Sequence, residues 1–409
     1  MSAASGKSAR FRTCVAYFFA SKCSGGLGFQ DPLKEIDVQT ITQAIKILSS
    51  LDTNVASIGR AELLQTVGHA ARTSAPTPAL TSNYLSALAD DRLNSMRYRV
   101  QSLWTRTRKA CRQLKIKFSV PNNGPPTIET GDSGPIAAKD GCRFLHSVIQ
   151  SAAADQLQSL PDQGKVARTL SVDQYANGST WQFNGLNIRF RDWRFIHRAR
   201  LNCLPLNAVK SRWSNTSPRC RHCVADETLP HVICHCHTNM VQIRARHNRI
   251  VDRLVHATRF GVVLTDRTVS ESNLNLRPDI VIKEDNKVTI VDVCCPFENN
   301  PESLRDAEQR KLDKYEPLKQ YFLSKGFQCD VFGFVVGALG AWYPPNEPVL
   351  RRLGMTRTYK SLFRKLCCTD AIQVSNDIYR KHLGMNDELT PLPATPVEPE
   401  PENELPTNA

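Results

Sequence analysis

The stretch "CRHCVADETLPHVICHC", residues 220–236, restricts the possible folds of this chain more than any other. Cys220 and Cys223 stand as C-x2-C, His231 follows after seven residues and Cys236 after four more. Thiolate and imidazole ligands that close a tetrahedron within so short a span are the pattern of structural zinc. Four such ligands leave no open position, so the ion is expected to hold the chain together rather than to catalyse. A site of this kind contributes on the order of 10 kcal/mol of local folding free energy. Cys234, His235 and His237 crowd the last position, and Cys236 is preferred because its distance from His231 leaves room for one helical turn. The fourteen cysteines are otherwise scattered. "VAYFFA" is too short for the apolar core of a signal peptide, and no run reaches membrane-spanning length. A reducing, intracellular setting is expected, in which clustered cysteines are metal ligands before they are disulfides.

Downstream, "RPDIVIKEDNKVTIVDVCCPFE" (277–298) holds two short apolar runs separated by "EDN", a gap suited to a hairpin turn. "FGVVL" precedes them as a third strand. "PESLRDAEQRKLDKYEPLKQYFLSKG" follows as an amphipathic helix, with proline at its start and glycine at its end, and "CDVFGFVVGAL" is one more strand. With the helix "MVQIRARHNRIVDRLVHA" in front, the expected order is α-β-β-β-α-β. A hairpin sets the start of one strand beside the end of the next. Asp279 and Asp292 should therefore lie side by side, and two carboxylates at one sheet edge suit Mg²⁺. Lys311 falls on the inward stripe of Leu304, Ala307 and Tyr315, where a cation needs an anionic partner. Lys314 lies close enough to share that role, and Tyr315 can orient a water or contact a phosphate.

The formal charge of +14 is uneven. The last 24 residues carry six acids, six prolines and no base, so the remainder stands at +20 and points to a polyanionic partner, nucleic acid foremost. The tail is expected to be disordered. Residues 33–118 have helical periodicity. From Arg92 to Lys117 there are nine bases and no acid, with Tyr98 and Trp104 interleaved, as in a helix lying along a phosphate backbone. Residues 119–135, rich in proline and glycine, read as a linker. "NIRFRDWRFIHRARLNCLP" (187–205) is a second basic-aromatic stretch. Ala89-Asp90-Asp91 matches the metal-binding triplet of a polymerase palm, but its neighbours have helical spacing, which makes it part of a surface helix.

Taken together, "CRHC…H…C", "RARHN", "RPDIVI", "VDVCCPFE", "KLDKY" and "GALGAWYPPN" resemble the carboxy-terminal part of non-LTR retrotransposon proteins of the R-two type, which carry a restriction-like endonuclease. "GGLGFQDP" is similar to the thumb that follows the reverse transcriptase palm, and "RARLNCLP" to the linker before the knuckle. The resemblance implies a nuclease of the PD-(D/E)xK class, with Asp279 and Asp292 holding the divalent metal and Lys311 stabilising the transition state. In this family the domain nicks one strand of target DNA, and the freed 3′ hydroxyl primes reverse transcription. Knuckle and linker would hold double-stranded target DNA and element RNA. The usual lysine, two positions after the second acid, is here Cys294, which leaves Lys311 and Lys314 as alternatives.

The implied division is a helical thumb-like region at 1–118, a linker at 119–180, and a basic linker with a CCHC zinc knuckle at 181–239. A restriction-like endonuclease domain at 240–345, C-terminal helices at 346–385 and an acidic tail at 386–409 complete it. The expectation is a nuclear, Mg²⁺-dependent DNA endonuclease with structural Zn²⁺ and no membrane association. The polymerase palm lies outside these residues, so reverse transcriptase activity is expected of a full-length parent. The alternatives are a non-catalytic zinc-knuckle remnant that binds nucleic acid, or a fragment of an RNA-directed DNA polymerase polyprotein.

Overall fold

The computed structural model describes residues 14–89, 93, 101–131, 133–171, 187–269 and 272–385. Asp90, Asp91, Tyr98 and the acidic tail, on which several expectations rest, lie outside the described residues.

The N-terminal unit is helical, with one small sheet. A short helix, α1 (Ala16–Phe19), precedes α2 (Pro32–Leu48), α3 (Thr53–Ala71), α4 (Pro78–Leu85) and α5 (Leu103–Leu114). Asp31 caps α2 by accepting from the Leu33 N–H, and Pro32 takes the first-turn position where its missing donor costs nothing. Val38, Ile41, Ala44, Ile45 and Leu48 then fall on one face and are buried. A reciprocal Ser102–Thr105 capping box starts α5. Two expectations change here. Helix α4 ends at Leu85 and Ala87 adopts φ 51°, so residues 86–89 of "SALADDRLNSM" are not helical. Trp104 is 1% exposed and belongs to the core, which removes it as a base-stacking residue.

Within the segment 119–180, the described residues 119–131 and 133–171 carry regular elements. Strands β1 (Lys117–Ser119), β2 (Thr127–Glu129) and β3 (Ile136–Ala137) form an antiparallel sheet, followed by α6 (Ala138–Ser159) and α7 (Lys165–Ser171). Phe118 pairs with Ile128 and both are buried, while α6 buries Leu145, Ile149, Ala153 and Leu157 along one stripe. Prolines and glycines occupy the turns between strands too short to show a period of two.

The second half begins with α8 (Phe190–Arg200) and α9 (Asn207–Lys210). From α10 (Met240–Ala257) onward come β4 (Val262–Thr265), β5 (Ile280–Glu284), β6 (Lys287–Cys294), α11 (Pro301–Ser324) and β7 (Gln328–Val335). The sheet order is β4-β5-β6-β7, antiparallel except for the β6–β7 pair. The β5–β6 turn is tighter than "EDN" suggests, because Glu284 pairs with Lys287. Alternation along the strands divides the apolar residues between two layers. Ile280, Ile282, Val291 and Val293 pack towards α10, α12 (Glu347–Arg352) and α13 (Arg357–His382). Val281, Val288 and Ile290 pack with Leu318 and Phe322 of α11. Helix α13, about 39 Å long, is buried continuously from Cys367 to Asn376 and runs from this core into a second one with Phe195, Val232 and Ile233. No described helix is long and apolar enough to cross a membrane.

Candidate active site and metal centre

The antiparallel register ends with Ile280 paired to Val291, so Asp279, just before that pair, and Asp292, just after it, lie at the same end of the hairpin. Asp279 Oδ2 accepts from the Val293 N–H (2.6 Å) and lies 2.9 Å from His247 Nε2, contributed by α10. Asp292 is 2% exposed and lies under α11. There the Lys311 ammonium contacts its Oδ2, and the Tyr315 hydroxyl donates to its Oδ1 at 2.6 Å. The same hydroxyl lies 2.8 Å from the carbonyl of Arg277.

The structure therefore brings Asp279, Asp292, Lys311 and Tyr315 to one end of the hairpin and separates the two lysines. Lys314, exposed on the helix, reaches the Tyr315 hydroxyl at 2.8 Å and lies over its ring. Burial works against the charge of Lys311, but contact with Asp292 outweighs it and raises the pKa above the ordinary lysine value. Burial likewise disfavours charged His247, and the Asp279 carboxylate reverses the balance and raises its pKa. Tyr315 is pushed up by burial and then by Asp292, which keeps it a hydrogen-bond donor. Cys294 is pushed up to about 12, chiefly by burial, so its thiol stays protonated at neutral pH and does not compete as a soft ligand.

Cys220, Cys223, His231 and Cys236 converge until their Sγ and Nε2 or Nδ1 atoms all lie within 4.8 Å of one another. Cys223 Sγ is 3.1 Å from His231 Nε2. The C-x2-C pair sits in a bend stapled by the Cys220 N–H to the Ala225 carbonyl at 2.7 Å. A single π turn, His231–His235, carries the chain from the imidazole to the last thiol. Three thiols and an imidazole at this spacing can hold a metal such as zinc.

Sequence reasoning missed several polar residues. His247 lies within the helix "MVQIRARHNRIVDRLVHA" and was given no role, although a polar side chain among its apolar residues was itself a signal. Glu227 is fully buried beside the cluster and accepts from Arg221 Nε (2.6 Å) and Nη2 (3.0 Å) and from the Asn207 N–H (2.8 Å). Burial alone would raise its pKa, but these donors hold the carboxyl down to about 2. Arg246, 1% exposed, donates to Ser375 Oγ at 2.8 Å and joins α10 to α13.

Fold and centres together define a mixed α/β protein with a carboxylate–lysine site and a Cys/His cluster. No known protein-family profile matches the chain. It is 32% identical, over 124 residues, to the Retrovirus-related Pol polyprotein from type-2 retrotransposable element R2DM of Drosophila melanogaster. The match covers 29% of this chain and 11% of that polyprotein, so the chain spans about a tenth of the relative's length. The similarity supports an origin in a non-LTR retrotransposon polyprotein and a function related to retroelements.

Proposed function

We propose that the chain is a Mg²⁺-dependent DNA endonuclease of the restriction-like PD-(D/E)xK kind. It nicks one strand of a double-stranded target so that the freed 3′ hydroxyl can prime copying of element RNA. The observation that carries this reading is the meeting of Asp279 and Asp292 at one end of the β5–β6 hairpin, with Lys311 of α11 in contact with Asp292.

Two carboxylates form an all-oxygen donor set that suits Mg²⁺, and Asp279 and Asp292 are the residues that would hold it. When bound, the ion supplies Lewis-acid stabilisation of the phosphate and helps ionise an attacking water. Hydrolysis forms a bond from the water oxygen to phosphorus and breaks the bond from phosphorus to O3′. The water loses a proton and the leaving O3′ gains one. Lys311 places a positive charge where the phosphate becomes more negative. Tyr315 and His247 fix the orientation of the two carboxylates through the hydrogen bonds above. On this reading, Lys311 rather than Lys314 takes the place of the strand lysine that Cys294 replaces.

The Cys/His cluster is assigned structural Zn²⁺ in a CCHC knuckle. Arg106, Lys109 and Arg112, exposed at helical spacing on α5, are assigned to phosphate contacts with double-stranded DNA or element RNA. A nuclear location follows from a chromosomal target. Reverse transcription is assigned to the parent polyprotein.

The test is nicking of supercoiled plasmid in Mg²⁺ by the purified chain and by a variant carrying both Asp279→Ala and Asp292→Ala. Nicking by the first alone, with 3′ hydroxyl ends, supports the proposal. Equal nicking by both sinks it, and tight DNA binding without nicking by either leaves the non-catalytic binding module.

A further inference from the structure

The four-residue cluster leaves one group of buried polar side chains without a purpose. Glu227, Asn239 and His382 are each no more than 1% exposed, and all three gather on the Cys220 side of the cluster. His382 closes α13, far along the chain from the knuckle. Cys220, Glu227 and His382 also lie within 4.8 Å of one another by their ligand atoms.

The hydrogen bonds determine which way His382 presents its proton. Asn239 Nδ2 donates to the Val232 carbonyl at 2.9 Å and lies 3.1 Å from His382 Nδ1. The amide nitrogen carries two hydrogens and accepts none, so Nδ1 is the acceptor and the proton sits on Nε2. That Nε2–H faces Glu227 Oε1 at 3.0 Å and Cys220 Sγ at 3.7 Å. Meanwhile His222, inside the C-x2-C pair, lies with Nε2 2.9 Å from the His382 carbonyl and its ring edge-on to the His382 ring at 4.6 Å. The last turn of α13 is therefore bonded to the knuckle through side chain and backbone alike.

We infer that Glu227 and His382 form the outer shell of the Cys220–Cys223–His231–Cys236 metal centre, so that metal binding and docking of the end of α13 are one coupled event. The inference rests on the reading of that cluster as a zinc site and extends it to residues far along the chain. Cys220 as a metal-bound thiolate is an acceptor, and the Nε2–H of His382 is the donor beside it. Glu227, held by Arg221, keeps the imidazole in place. His382 is thus a positioning residue, and outer-shell partners of this kind change metal affinity by about 10–100-fold.

The experiment uses the full chain loaded with Zn²⁺ and then with Co²⁺. Zinc affinity is measured by chelator competition for wild type, His382→Ala, His382→Gln, Glu227→Gln and the control His237→Ala. Hydrogen exchange along α13 is followed in wild type with and without zinc. Expected are one zinc per wild-type chain and an affinity about 10–100-fold lower in His382→Ala and Glu227→Gln. His382→Gln, whose amide restores a donor, should recover part of the loss, and His237→Ala should bind as wild type does. In the Co²⁺ form, losing the donor to the thiolate should move the sulfur-to-metal band to longer wavelength in His382→Ala. Stripping zinc from the wild type should speed exchange at the end of α13 and leave its first turns unchanged.

The inference is overturned if His382→Ala binds zinc within about twofold of wild type, or if exchange at the helix end ignores the metal. If His382→Ala does not fold, the wild-type exchange experiment and His382→Gln still decide. A wild-type chain that binds no zinc defeats the underlying metal-site reading and the inference with it, a result distinct from a zinc site indifferent to His382.

Discussion

At the scale of single residues, the two ends of Asp292 are held by different kinds of contact, and each can be tested separately. Lys311 is in ion contact with Oδ2 while Lys314 reaches the Tyr315 hydroxyl. Lys311→Ala should lower the nicking rate by about 10²–10³-fold, the usual cost of removing one charge-stabilising donor. Lys314→Ala should cost less than about tenfold, and single-turnover nicking of one plasmid would rank them. The reverse ranking would move the catalytic role to Lys314. Tyr315 is a matter of stability. Tyr315→Phe leaves Oδ1 of a carboxylate that is 2% exposed without its 2.6 Å donor. It should cost about 1–3 kcal/mol in urea unfolding. An unchanged midpoint would mean that water takes over the bond.

At the scale of elements, the β5–β6 hairpin was legible because two β-branched runs are separated by a gap too short for anything but a turn. Helix α11 was legible because Pro301 opens it and Gly326, at φ 84°, follows it. The three-stranded sheet was not legible, since its two-to-three-residue strands are hidden among prolines and glycines. His382 carried no local signal, because its partners come from the distant segment 220–239. The "GALGAWYPPN" segment has a geometric requirement that its sequence only hints at. A Cβ on Gly337 would meet Glu298 Oε1 at 2.0 Å. That carboxylate is fully buried and accepts from the Leu339 and Ala341 N–H groups at 2.8 and 3.1 Å. Gly337→Ala should therefore destabilise the chain by about 2–3 kcal/mol, the cost of pulling a buried carboxylate off its donors. Gly131→Ala, with nothing within 4 Å of its Cβ, should be close to neutral. Equal denaturation midpoints for the two variants would contradict the packing described.

Over the whole molecule, α13 ties the centres together. It packs against α10, which supplies His247, and its last residue enters the shell of the Cys/His cluster. Charge acts over the same distance. With +14 overall and exposed bases along α5, DNA affinity should fall steeply as salt rises, with about one released counterion per phosphate contact. A flat dependence between 50 and 200 mM salt, the range over which about 10³-fold or more is lost by a protein with six to ten such contacts, would rule out the electrostatic docking invoked.

The central claim is that the paired carboxylates do chemistry while the basic surface does the binding. The most direct measurement sets the nicking rate and the DNA dissociation constant of Asp292→Asn beside those of the wild type. Asparagine keeps the size of the side chain and an oxygen for Tyr315, so the fold is spared while the charge is lost. The account predicts a rate lower by at least about 10²-fold, the scale of losing one charge-stabilising interaction, with affinity within about twofold because phosphate contacts lie elsewhere. An unchanged rate, or a loss of binding that parallels the loss of cleavage, would contradict it.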